Sequence, residues 1–355
     1  MTTNKEIRDQ LLDIHTNFHK DENKPTFANE IKMDSFASFL TYKQFLPNKK
    51  QIESDFKDEL EKDEDSNFLP NNLFEKYHYD FNFDENFFAD KSMGGEGDNE
   101  FNNNAMFVAM NVAARPEGFS IEGWKNFHDQ ENMSRDPHIL KLNLEVNDLM
   151  FRGCYLTDAI KRVTDSNSSN VKNDFFADNS LTKWSFTNDS DDMNDNLRAE
   201  KYMELDEREA KNYEKKHTGK KYEHRFESTK DALRSVRQNR IIFYKSANIF
   251  AEEWKTVKPE RIISLGGTSK KLLERMVETE VFQQYPGLCK MVEESIQITH
   301  YSYRLNFKDF YNRYADSLID QITISWVSTI MNISLGSLPK KFVLITMKSK
   351  MIRWQ

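Results

Sequence analysis

Apolar residues fall into two kinds of pattern along this chain. Ile7, Leu11, Ile14 and Phe18 recur at helical spacing within residues 5–20, which predicts a short amphipathic helix at the front. Further on the pattern contracts into compact runs: Ala105 to Met110 (AMFVAM), Cys154 to Thr157 (CYLT), Arg261 to Leu265 (RIISL) and Ser295 to Thr299 (SIQIT). Short apolar runs of this kind suit strands covered on both faces. Between them lie charged, helix-permissive stretches, Asp136 to Asp148, Ile249 to Thr256 and, after the turn Gly266-Gly267-Thr268, Ser269 to Thr279. The alternation predicts repeated β-α-β units and an α/β class, with three layers (α/β/α) around a central four-stranded parallel sheet.

The intervening segments lack that order. Gln51 to Glu100 is dense in Asp, Glu, Asn and Phe, with a glycine turn at Met93 to Gly97 and no sustained period. It reads as a partly ordered acidic appendage that lays its phenylalanines on the main domain; a wholly disordered arm is the competing reading. Thr164 to Asn196 reads as a Ser/Asn/Asp-rich loop, and Leu197 to Asn239, rich in Lys, Glu and Arg, as inserted helix. Phe310, Tyr314 and Leu318 predict a closing helix over Phe307 to Leu318. The resulting division is an acidic N-terminal extension over 1–100, an α/β domain over 101–320 with a charged insertion at about 165–240, and a basic tail over 321–355.

Charge and composition narrow the setting. The 355 residues suffice for one large domain or two ordinary ones. Of the net charge of −8, residues 1–100 alone carry 12 basic against 23 acidic groups, while the last 35 residues hold five basic residues and no acid. An electropositive edge at the tail is one reading, and a solvated surface is the plainer one. Cys154 and Cys289 are far apart and form no Cys-x-x-Cys or Cys/His cluster, so no metal site is expected and a reduced, cytoplasmic setting fits. The first residues are polar and charged, unlike a secretory signal. Ile322 to Leu338, the most apolar stretch, is short and interrupted by Ser, Thr and Asn, so no membrane role is expected.

In open α/β sheets ligands bind outside the carboxyl ends of the strands. The residues there are Asn111-Val112-Ala113-Ala114, Thr157-Asp158, Gly266-Gly267-Thr268 and His300-Tyr301-Ser302: an amide, a carboxylate, a flexible turn and an imidazole. In order and spacing, four motifs resemble the uracil-DNA glycosylase superfamily. FVAMNVAARPEGFSIEGW resembles its first motif, a strand leading into Gly-x-Asn or Gly-x-Asp, with an aromatic residue at the offset where Trp124 stands from Asn111. GCYLTDAIK resembles its second strand, KPERIISLGGTSKKLL its third strand and small-residue turn, and ITHYSYR its final strand ending in His-Pro-Ser. The likeness spans residues 101–314 apart from the insertion.

The resemblance implies a uracil-DNA glycosylase-like fold. It also implies a monofunctional DNA base-excision glycosylase, a hydrolase that cleaves the N-glycosidic bond of a non-standard, deaminated base flipped from DNA. Such cleavage passes through an oxocarbenium-like sugar while negative charge collects on the departing base. Asn111 would hold the attacking water and His300 would stabilise the leaving anion. Trp124, with Phe119, would stack the extruded base, Asp158 would read it, and Ser302 and Arg304 would hold phosphates. No metal or organic cofactor is implied; the partner would be single- or double-stranded DNA and the protein a monomer. The alternative is a catalytically inactive module that binds nucleic acid or another partner on the same fold, its acidic front segment serving as a docking or autoinhibitory arm. An unrelated α/β enzyme acting on a nucleotide or small metabolite is a third reading.

Each residue also has a plainer role: Asn111 as a cap, His300 as a satisfied histidine, Trp124 as core, Gly266-Gly267 as an ordinary turn. The chain departs from the family at Ala109 (glycine), Val112 (proline), Tyr301 (proline) and Asp158 (asparagine). An ionised Asp only accepts hydrogen bonds, whereas Asn both donates and accepts, so a changed or lost base preference is expected.

Overall fold

The computed structural model describes residues 3–14, 16, 32–47, 49–60, 75–77, 79–89, 100–112, 122–128, 138–147, 150–164, 168–176, 192–301 and 309. Its strands are β1 (Ala37–Phe39), β2 (Asn102–Val112), β3 (Cys154–Thr164), β4 (Ile262–Leu265) and β5 (Ile296–Ile298). They form one sheet in the order β1-β3-β2-β4-β5. β2 runs parallel to β3 and to β4, and β4 parallel to β5. These four strands stand on the four apolar runs. The fifth, β1, pairs antiparallel with β3, placing Ala37 opposite Thr157 and Phe39 opposite Tyr155. The sheet therefore has five strands where the apolar runs predict four, the fifth being a short edge strand outside those runs.

Among the described residues the helices are α1 (Asn4–Leu12), α2 (Lys49–Leu60), α3 (His138–Glu145), α4 (Ser168–Phe176), α5 (Asp192–Lys216), α6 (Thr229–Val257), α7 (Gly267–Val277), α8 (Glu280–Gln283) and α9 (Pro286–Glu293). They cover both faces of the sheet. The pleat of β2 sends Met106 and Val108 into a core with Phe243 and Phe250 of α6 and Leu272 of α7. It sends Ala105, Phe107 and Ala109 into a second core with Leu140, Leu142 and Leu144 of α3. Burial on both sides is why these strands read as unbroken apolar runs.

The described part of the first hundred residues belongs to both cores. Phe36, Phe39, Phe83 and Phe87 join the α6 side, whereas Leu40, Tyr42, Phe56 and Phe81 join the α3 side. Each such side chain contributes about 1.5–3 kcal/mol by leaving water. Helix α1 starts on a capping box, with the Thr3 hydroxyl accepting from the Glu6 amide at 3.1 Å and the Glu6 carboxylate accepting from the Thr3 amide at 2.7 Å. It ends at Leu12, with Ile7 and Leu11 buried, while Phe18 lies outside the described residues.

Two segment boundaries differ from the sequence expectation. Within the stretch read as a loop, Ser168–Phe176 is helical and buries Val171 and Phe175. Helix α6 runs unbroken from its Ser228 cap to Val257, so the expected end of the insertion near 240 falls inside one helix. Its first half packs Ala232 and Val236 against Ala199 and Tyr202 of α5, and its second half packs on the sheet. Of the closing helix expected over Phe307 to Leu318 only Asp309 is among the described residues, and the stretch Ile322 to Leu338 lies outside them.

A buried ion pair joins α6 to β3. Lys161 Nζ donates to Glu253 Oε2 at 2.5 Å and to Thr157 Oγ1 at 2.7 Å. Glu253 Oε1 accepts from Tyr155 Oη at 2.8 Å and from Thr157 Oγ1 at 2.7 Å. Both charged side chains are fully enclosed. Burial lowers the Lys161 ammonium below its usual range despite Glu253, and raises the Tyr155 hydroxyl well above its own. At the entry to β3, Gly153 adopts φ +75°, and a Cβ there would lie 1.9 Å from the Glu100 carbonyl oxygen, so this turn requires glycine.

Candidate functional site

From β2 the chain passes outward to β3, returns across β2 to β4 and continues to β5, so the direction of winding reverses between β2 and β4. The crevice at the carboxyl ends of two such strands is where an open α/β sheet receives ligands. Val108 pairs with Ser264 and Leu265 with Ile298. Continuing the ladder brings Asn111 of β2 level with the Gly266-Gly267 turn.

Asn111 is the penultimate residue of β2, so it caps no helix. Two positions beyond Ala109, it lies on the α3 face of the pleat. Its Nδ2 donates to the Val163 carbonyl of β3 at 3.0 Å, which fixes the orientation of the amide and makes Oδ1 the accepting end.

His300 follows β5 and closes on Gly266. Gly266 has φ +88°, and a Cβ there would stand 3.0 Å from the His300 Cβ, so glycine lets the imidazole approach the turn. The ring of Tyr301 stacks on His300 with centroids 4.4 Å apart and planes at 23°. Tyr301 in turn meets the His138 ring edge-on at 6.4 Å. Burial, reinforced by His138, lowers the His300 imidazole to about 4. It is therefore neutral at physiological pH, with one nitrogen donating and one accepting. Tyr301 thus holds the imidazole by ring stacking.

The other expected base contacts lie elsewhere. Asp158, opposite Ala109 in the ladder, is fully buried, and its Oδ2 accepts from Asn126 Nδ2 at 3.0 Å. It shares the α3 face with Asn111, but it is enclosed rather than open to a base. Trp124 is 4% exposed and has φ +66°. Its ring packs against Phe39 at 5.2 Å and Phe88 at 5.8 Å. Its backbone amide donates to the Asp34 carbonyl at 2.9 Å, and its carbonyl accepts from Ser38 Oγ at 2.5 Å. Trp124 is a core residue of the front segment, not an open stacking face. Phe119, Ser302 and Arg304 lie outside the described residues.

The structure adds His138, Tyr42 and Asn126 to the neighbourhood, none of which stands out by spacing. Burial raises the Tyr42 hydroxyl, with Tyr301 adding to the effect. His128 is buried with Nδ1 3.1 Å from the Phe81 carbonyl and Nε2 3.1 Å from the Phe39 carbonyl, and burial lowers it to about 4. It ties the 122–128 turn to the front segment.

Among the described residues, no group of three or more His, Cys, Asp or Glu could hold a metal ion, and no helix is long and apolar enough to cross a membrane. No family model matches the chain, and neither a curated protein nor a solved structure matches it.

Proposed function

We propose that the chain is a divergent base-excision glycosylase of the uracil-DNA glycosylase type, with three α/β/α layers, acting on a deaminated base in DNA. The observation that carries the reading is the placement of Asn111 and His300 on either side of the Gly266-Gly267 turn, where the winding of the sheet reverses. With its Nδ2 bound to Val163, Asn111 would accept a hydrogen bond from the attacking water through Oδ1 and hold it against the sugar carbon. A neutral His300, aimed by Tyr301, would donate to the oxygen on which the base's negative charge develops. The reading includes a monomeric cytoplasmic protein that works without metal or organic cofactor.

The test is incubation of the purified chain with oligonucleotides bearing uracil, hypoxanthine, xanthine or a mismatch, scored for abasic sites. We expect cleavage of a base other than uracil, lost in Asn111→Ala and reduced by on the order of 100- to 1000-fold in His300→Ala. Cleavage that survives both substitutions would remove these residues from the mechanism, and ordinary rates on uracil would remove the changed preference.

A second reading has its own support. Trp124 and Asp158, two of the expected base contacts, are buried and bonded within the protein. That favours a module that binds nucleic acid without catalysis. DNA binding with no abasic product from any of the four substrates would decide for it.

A further inference from the structure

Helices α5 and α6 form a hairpin, and its tip differs in character from a chain of net charge −8. The tip carries Lys215, Lys216, Lys220 and Lys221 with no acidic residue between them, and all four are exposed. Among the described residues none of the four has an ion pair or a side-chain hydrogen bond. Glu214 and Glu223 flank them, which leaves the tip with a surplus of positive charge. The nearest carboxylates further down the arm are engaged inward. Asp206, buried on α5, accepts from Tyr222 Oη at 3.1 Å and from the Arg225 amide at 3.2 Å, and lies 2.9 Å from His224 Nδ1. Glu209 Oε1 accepts from Asn173 Nδ2 at 2.9 Å. These bonds fasten the returning segment to α5, and the ring of Phe226, stacked on Tyr202 with centroids 5.7 Å apart, anchors its end. The lysines are thus held outward on a fixed turn. Aromatic rings alternate with them: Tyr213 meets His217 at 4.5 Å and Tyr222 at 5.7 Å, and Tyr222 meets His224 edge-on at 5.4 Å. Cations interleaved with rings suit a polymer of phosphates, sugars and bases.

The tip also projects from the functional end of the sheet. Glu253 meets Tyr155 and Thr157, while Ser246 Oγ accepts from the Lys161 amide at 3.1 Å, so α6 runs antiparallel to β3. Residues before Ser246 therefore extend toward the carboxyl ends of the strands. Helix α5 lies antiparallel to α6, with Asp195 on Arg240 and Tyr202 Oη accepting from Asn239 Nδ2 at 3.2 Å. At roughly 1.5 Å per residue, Asn239 lies about 10 Å beyond Ser246 and Lys216 about 21 Å beyond Tyr202. β3 itself extends only about 10 Å past Lys161, so the tip stands about 20 Å clear of the strand ends.

We propose that this hairpin tip is an arm that grips the phosphodiester backbone of duplex DNA flanking the strand-end crevice. Lys215, Lys216, Lys220 and Lys221 contact phosphates, and the rings of His217 and Tyr222 lie against the sugars. The proposal rests on the DNA reading above for the identity of the polyanion, and adds a contact region separate from Asn111 and His300.

The experiment measures binding of the full chain to a fluorescein-labelled duplex of about 20 base pairs, by anisotropy over a range of KCl concentrations. The quadruple variant Lys215→Gln, Lys216→Gln, Lys220→Gln, Lys221→Gln is compared with the unaltered chain. These side chains make no contact that the fold needs, and circular dichroism confirms equal helicity. The expected result is binding at least roughly tenfold weaker at low salt and a log-log salt slope shallower by about 3–4, since each lost phosphate contact removes about 0.9. Arginine at the same four positions should restore both. Lys255→Gln with Lys258→Gln, at the opposite end of α6, should leave the slope unchanged. Equal binding and slope in the quadruple variant and parent would overturn the arm while leaving the DNA reading intact, and so would an equal loss per lysine in the distant pair. Absence of duplex and single-strand binding by the parent chain would overturn both. Binding to phosphatidylserine vesicles but not to DNA would likewise overturn both, in favour of a membrane surface.

Discussion

On the α6 face of the sheet, Lys161, Glu253, Thr157 and Tyr155 bond to one another in full enclosure. On the α3 face, His300, Tyr301 and His138 meet ring to ring at the carboxyl edge, and Asn111 spends its amide on a backbone carbonyl. Both faces place polar groups beside an apolar core, and the first closes a network of its own. A closed buried ion pair holds two elements in register and offers nothing to a ligand. Groups at a strand end, with a glycine turn beside them, are placed where a substrate can enter.

The largest effect should come from opening the closed network. Glu253→Ala leaves Lys161 buried without its counter-ion and is expected to cost about 3–5 kcal/mol in urea unfolding. Lys161→Met combined with Glu253→Met should recover much of that loss. A double variant as unstable as the single would show that the pair itself, rather than the stranded charge, carries the stability.

Acid should act next. His128 and His300 titrate near 4 in the folded chain and near 6.5 when unfolded, so between these values the unfolded state binds more protons. Stability is therefore complete above about pH 7 and falls as pH drops from 6.5 toward 4. For His128 the expected loss is about 2 kcal/mol by pH 5. Unfolding at pH 7.5 and at pH 5 measures it, and His128→Gln should remove that share of the difference, leaving the share of His300. A pH-independent midpoint across that range would mean that neither imidazole is held neutral by the fold.

The smallest effect sharpens the comparison at Trp124. As a core residue, Trp124→Phe should cost about 1–2 kcal/mol of stability and leave DNA affinity unchanged. A variant of unaltered stability and weakened DNA binding would return Trp124 to the ligand side.

The four parallel strands are legible in the sequence because residues buried on both faces are apolar without interruption, as AMFVAM and RIISL are. Strand ends then locate Asn111 and His300 without further information. β1 is invisible because Ala-Ser-Phe has no period and pairs with residues about 120 positions away. Helix α4 is hidden among Ser and Asn because few apolar residues, chiefly Val171 and Phe175, mark its buried side. His138 escapes because only folding brings the start of α3 against Tyr301. Trp124 misleads for a related reason. Its offset from Asn111 is a property of the chain, whereas its place in the core is set by Asp34, Ser38 and Phe39 of the front segment.

That front segment also guards against self-association. β1 lays Ala37, Ser38 and Phe39 along the outer edge of β3, where Tyr155, Leu156 and Thr157 would otherwise present open backbone donors and acceptors. A bare strand edge of apolar and β-branched residues is a template for pairing with another copy of itself. Proteolytic loss of the first forty residues would therefore do more than trim an acidic arm: it would bare the edge of β3 for pairing with a second copy.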